Sequence, residues 1–148
     1  CDIPCGIYDP HNAQMAAHTV VRMVQLMDEA TRAMGETPTK EQRLKFVHDF
    51  ARYTHVKEEH TEIVKREVRV LWGDYFKPDN VTTETHELVW KIMKSASKAR
   101  QGYDMKDAEE LLDTVNRLAE IFWKTKNMPT VRVKAPYPTG KEIVVPKT

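Results

Sequence analysis

The sequence predicts an all-α protein: an up-and-down four-helix bundle with an N-terminal metal-binding hook and a short C-terminal extended arm or hairpin. Three observations carry this. Apolar residues recur at helical spacing in four stretches, cap and stop residues separate those stretches, and the pattern turns to alternation beyond Met128-Pro129. With 148 residues, 41% of them hydrophobic, the chain has material for one core. The domain reading is a bundle over residues 1–128, with the hook at 1–9, followed by the arm at 129–148.

The hook comes first. Cys1-Asp2-Ile3-Pro4-Cys5-Gly6-Ile7-Tyr8 contains both cysteines of the chain. A disulfide between them would close a tiny loop and constrain little of the unfolded chain, so a stapled fold is rejected. Three readings remain. A redox pair ordinarily has Cys-x-x-Cys spacing, not the Cys-x-x-x-Cys found here. A lipid on Cys1 leaves Cys5, Pro4, Gly6 and Tyr8 without a task. A metal hook uses them all: Pro4 fixes one dihedral, Gly6 opens conformations closed to other residues, and the second thiolate returns to the same ion. Thiolates select soft ions. Zinc would want four side-chain donors, and no second Cys/His pair with finger spacing follows, so nickel or copper fits better.

Asp9-Pro10 then reads as a cap with proline in the first helical position, and Ala13, Ala16, Ala17, Val20, Met23, Val24, Met27 and Met34 carry a helix to about residue 34. Gly35 ends it. Thr39-Lys40-Glu41-Gln42 has capping-box form and starts a second helix through Leu44, Val47, Phe50, Ala51, Tyr53, Ile63, Val64, Val68 and Leu71 to Gly73. Its length predicts a kink near Thr54 to Lys57. Gly73 to Asn80 has turn composition, with two aromatics that order it. Thr82 or Thr83 caps a third helix with Leu88, Val89, Ile92, Met93 and Ala96, ending by Gly102. Asp104 caps a fourth with Ala108, Leu111, Leu112, Val115, Leu118, Ala119 and Phe122, the cleanest helical period in the chain. In the arm, Val131-Arg132-Val133 alternates, Pro136 to Gly140 turns and Ile143-Val144-Val145 extends. An isolated hairpin is marginal in water, so the arm is expected to pack on the bundle or on another subunit.

Charge narrows the partners. Lys+Arg number 23 against 22 Asp+Glu, a formal net charge of +1, and no stretch is basic enough to neutralise phosphates, so no nucleic acid is expected. No run of about eighteen apolar residues offers a membrane span, and no leader pattern opens the chain, which gives the expectation of a cytoplasmic protein.

Cys1-Asp2-Ile3-Pro4-Cys5-Gly6-Ile7-Tyr8-Asp9-Pro10 resembles the nickel hook of the nickel-containing superoxide dismutases, whose chains begin His-Cys-Asp-x-Pro-Cys-Gly-x-Tyr-Asp-Pro. Lys57-Glu58-Glu59 with Leu71-Trp72-Gly73-Asp74-Tyr75-Phe76-Lys77-Pro78 is similar to the family's mid-chain motif, and Ile121-Phe122-Trp123-Lys124-Thr125-Lys126 to the end of its last helix. The resemblance implies disproportionation of superoxide anion to oxygen and hydrogen peroxide at a nickel ion, in a homohexamer. It implies that Cys1 and Cys5 are the thiolate ligands, with the Cys1 amide nitrogen a third donor. Tyr8 would then position a small anion or water over the open face, Asp2 would fix the hook by hydrogen bonds, and Tyr75 and Lys77 would shape or charge the approach. The family's remaining donors belong to a histidine before the first cysteine, and the sequence here starts at the cysteine. If Cys1 is terminal, its nitrogen is an amine, copper competes with nickel, and His11, His18, His48, His55 and His60 become candidate replacement ligands. A copper-dependent dismutase on the same scaffold and a non-catalytic metal-binding protein are the alternative functions.

Plain structural roles are the default for the rest. The histidines, His86 included, are expected to be solvated, the methionines Met15, Met23, Met27 and Met34 to pack flexibly in the core, and Trp72, Trp90 and Trp123 to fill the bundle or a subunit contact. Lys57-Glu58-Glu59 reads as a solvated helix face.

Overall fold

A computed structural model describes residue 2 and residues 4–148. Four helices run α1 (His11–Met34), α2 (Lys40–Val70), α3 (Thr83–Gln101) and α4 (Met105–Thr125), followed by β1 (Thr130–Lys134) and β2 (Glu142–Pro146). The starts follow from their caps. Asp9 accepts the His11 N–H at 2.7 Å, Thr39 and Gln42 form a reciprocal capping box, Thr82 and Thr85 form another, and the Asp104 carboxylate accepts the Lys106 N–H at 2.9 Å. Each satisfies amides that the first helical turn leaves without an internal partner.

The helices pack in a ring, α1 on α2 and α4, and α3 on α2 and α4. Ala13, Ala17, Val20, Val21 and Val24 of α1 meet Val64 and Val68 of α2, Ile92 and Ala96 of α3, and Leu111, Leu118 and Phe122 of α4 in one cluster. Small residues on α1 facing Leu and Phe on α4 let the helices interdigitate. The methionines contribute less than their spacing suggested: Met27 is buried, whereas Met15 lies 36% exposed.

Three features depart from expectation. First, α2 is one continuous helix of 31 residues with no break at Thr54–Lys57; the irregularity comes at its end, where Leu71–Tyr75 forms a π-helical turn closed by the Phe76 N–H on the Leu71 carbonyl. Five residues apart on a regular α-helix, Leu71 and Phe76 would point about 140° from one another; the wider turn buries both. Second, Lys57 is not on a solvated face. It is 2% exposed and its ammonium donates to the Gly102 carbonyl at the C-terminal end of α3, where helical carbonyls lack partners and the helix dipole is negative. Burial lowers its pKa. Third, Trp72 and Trp90 lie on the surface and not in the bundle, which leaves the subunit contact of the two expected roles; the Trp72 indole N–H donates to His86 Nδ1.

Asn127, with φ of 58°, turns the chain out of α4 and into the arm. β1 and β2 pair antiparallel, Val131 opposite Val145 and Val133 opposite Ile143. The hairpin packs on α4 and α1. Ala135, Ile143 and Val144 are buried there, the Val144 N–H donates to Gln14 Oε1, Gln25 donates to the Thr139 carbonyl, and Asn116 donates to the Glu142 carbonyl. Arg132 bridges Asp113 and Glu120, which raises its pKa, and Lys141 reaches Glu109.

Candidate metal centre

Pro4 to Ile7 form a tight turn, with the Ile7 N–H on the Pro4 carbonyl at 2.8 Å. Gly6 holds the third position at φ 77°, the positive value that a type II turn demands. Among the described residues, nothing beyond its own chain neighbours lies within 4 Å of where a Gly6 Cβ would stand, so the positive φ is what favours glycine there. The turn presents Cys5 as a free, exposed thiol. Cys1, the other expected ligand, lies outside the described residues.

Downstream, Tyr8 is half-buried. Its hydroxyl donates to the Asp2 backbone carbonyl at 3.1 Å, drawing the two ends of the hook together. Asp2 thus meets Tyr8 through its main chain. The Tyr8 ring leans on Tyr75, with centroids 5.6 Å apart. The phenol of Tyr75 points elsewhere: Thr125 gives its own proton to the Phe122 carbonyl, so Tyr75 donates to Thr125 Oγ1, at 2.6 Å. Lys126 lies over the Tyr75 ring, 5.5 Å from its centroid. Tyr75 is therefore a fixed platform beneath Tyr8. Partial burial, and then the negative charges of Asp74, Cys5 and Asp2, push the Tyr8 pKa above its ordinary value.

Cys5, Gly6, Tyr8, Asp74, Tyr75, Lys77, Asp79, Asn80 and Lys126 line one open cleft of about 410 Å³. The loop is held by the Lys77 N–H on Asn80 Oδ1 and the Val81 N–H on the Lys77 carbonyl. Cys5, Tyr8, Tyr75 and Lys77, read from separate parts of the sequence, come together here. Asp74 and Lys126 were not singled out, although both stand within the quoted motifs; what the sequence lacked was the π turn and the α4 terminus that swing them to one side.

None of the five histidines considered as replacement ligands lines the cleft. His18 is buried with both ring nitrogens engaged, and not solvated as expected. His55 faces Glu59, His60 donates to the Val56 carbonyl, and His11 and His48 are exposed. Among the described residues no group of three or more His, Cys, Asp or Glu side chains could hold a metal. An exposed thiolate on a glycine turn, with main-chain nitrogens beside it, suits a soft ion such as nickel.

Comparison with known proteins agrees. The family model described as nickel-containing superoxide dismutase matches residues 1–126. The nickel superoxide dismutase of Streptomyces coelicolor (strain ATCC BAA-471 / A3(2) / M145) is 35% identical over 128 residues, 85% of this chain and 87% of the relative. That of Streptomyces seoulensis is 34% identical over the same length and the same shares. Among solved structures, native nickel superoxide dismutase at 1.30 Å superposes with a TM-score of 0.70 at 34% identity, covering 86% of this chain and 98% of the other. A structure with nickel ligation corresponding to the oxidised state gives 0.70 at 32%, with the same shares.

Proposed function

The chain belongs to the nickel-containing superoxide dismutase family, and on that premise we propose how its residues serve the disproportionation of superoxide to oxygen and hydrogen peroxide. Cys1 and Cys5 would hold the nickel as thiolates, with main-chain nitrogen as a further donor. Bound there, nickel would supply the one-electron redox couple that disproportionation requires. Tyr8 is protonated at neutral pH, and partial burial raises its pKa further above the ordinary 10.0. In this structure its one proton goes to the Asp2 carbonyl, so the hydroxyl would donate to a small anion in the cleft by turning away from that carbonyl. Lys77 and Lys126 bring positive charge to a cleft that also carries Asp74 and Asp79, and an anionic substrate is drawn by local positive potential. Tyr75 sets the angle of Tyr8.

The remaining parts of the reading are a bundle over 1–128 with the arm at 129–148, a homohexamer and a cytoplasmic location. The hexamer is supported by α2. At about 46 Å it outruns α3 and α4, at about 28 and 32 Å, and its first half leaves Leu44 60% and Val47 62% exposed. A second copy covering that face would bury them. No helix among the described residues is long and apolar enough to cross a membrane; cell fractionation tests the location.

The observation that carries the mechanism is Cys5 and Tyr8 facing one open cleft in a chain that the family matches from its first residue. Cys1→Ser and Cys5→Ser should each lose bound nickel and dismutation while circular dichroism keeps its helical signal. Undiminished turnover in either variant would overturn the ligand assignment.

A further inference from the structure

The arm follows the residues that the family model matches, and it docks through an unusual polar contact. His18, 3% exposed, has Nε2 at 3.0 Å from the Glu142 carbonyl and Nδ1 at 3.0 Å from Thr139 Oγ1. A carbonyl only accepts, so Nε2 carries the proton. In the neutral ring Nδ1 is then an acceptor, and the Thr139 hydroxyl donates to it while accepting the Lys141 N–H at 3.3 Å. Every proton in this arrangement is assigned, and it is complete with a neutral imidazole. Tyr137 closes over the ring, edge to face at 5.3 Å.

We propose that the arm is a pH-released brace: it stays docked on α1 and α4 while His18 is neutral and lifts when His18 gains its second ring proton. With a proton on Nδ1, the Thr139 hydroxyl could no longer donate to it and would have to turn its own proton away, and the new charge would be buried without a counter-ion. The charged groups on the surrounding elements do not supply one. On α1 these are His11, Arg22 and Glu29, and on α4 Glu109, Asp113, Arg117 and Glu120. On the arm they are Arg132, Lys134, Lys141, Glu142 and Lys147. Glu109 is taken by Lys141, Asp113 and Glu120 by Arg132, Glu29 by Arg22, and Glu142 reaches the ring only through its carbonyl. Burial is the first cause holding the ring's pKa below its ordinary 6.5. A lowered value in the docked state means that docking is at full strength above about pH 6.5 and weakens as pH falls from there to the docked value. No arm residue lines the cleft, so the brace is separate from the nickel ligands.

The test is hydrogen exchange of the nickel-loaded full chain between about pH 7.5 and about pH 5, expressed as protection factors. In parallel, the His18 ring is titrated by NMR. Protection at the Val144 and Ala135 amides should fall several-fold as His18 titrates, below its ordinary pKa, while the Val115 amide in α4 holds. In His18→Gln, whose side chain cannot gain a proton, arm protection should be level across the range. Arm protection that stays level while the native His18 titrates would overturn the brace, and so would an equal fall in His18→Gln.

Discussion

The hook and the arm, at opposite ends of the chain, are both short, yet the described part of the hook is an exposed turn and the arm a docked hairpin. From Pro4 to Ile7 the hook is exposed, and among its described ties are one turn hydrogen bond, the Tyr8 to Asp2 contact and the lean of the Tyr8 ring on Tyr75. The arm buries Ala135, Thr139, Ile143 and Val144 and is anchored by Gln14, His18, Gln25 and Asn116. On the proposed mechanism, the segment that would carry the chemistry is exposed where it is described, whereas the arm is largely docked. A metal ligand set can supply the missing rigidity, since binding free energy becomes folding free energy for the segment that closes on the ion. The arm needs no such help.

Variants should therefore separate the two ends. Gln14→Ala strands the buried Val144 N–H and should cost about 1–3 kcal/mol, read as a lower midpoint of thermal unfolding with nickel content unchanged. Gly6→Ala forces a side chain into left-handed backbone, a cost of about 1–2 kcal/mol. Because the hook contributes little to global stability, that cost should emerge as nickel affinity weakened about 5- to 30-fold with the unfolding midpoint constant. If Gly6→Ala lowered the midpoint as much as Gln14→Ala, the contrast would be lost. The smallest effect on stability is expected from Tyr8→Phe, which removes one solvent-exposed hydrogen bond. It should keep its nickel and change turnover. A pH–rate profile sharpens the point: the native enzyme should lose activity only as pH climbs past the raised Tyr8 pKa, and the variant should lack that alkaline limb.

Much of this was legible in the residues. Helical period and caps placed the starts of α1, α3 and α4 within a residue or two, because Asp9, Thr82 and Asp104 act on neighbours close in sequence. The hook turn was legible for the same reason, Pro4 and Gly6 being local devices. What escaped were contacts made by polar residues across long sequence separations. His18 and Gln14 sit on α1 in positions that a four-helix pattern leaves to solvent, and only the docked hairpin, more than a hundred residues later, explains them. Lys57 was hidden by its acidic neighbours, since nothing local announces that α3 will end against it. The π turn has no compositional mark, and it is what turns Tyr75 and Asp74 toward the hook.

Lys57 also has a practical use. An amine-reactive reagent will find Lys77 and Lys126 at the cleft at once, whereas Lys57, 2% exposed and bonded to the Gly102 carbonyl, is out of reach while α2 and α3 stay together. Its labelling rate, followed by peptide mass spectrometry, is a built-in clock for the opening of the bundle, one that runs independently of whatever happens at the hook or the arm.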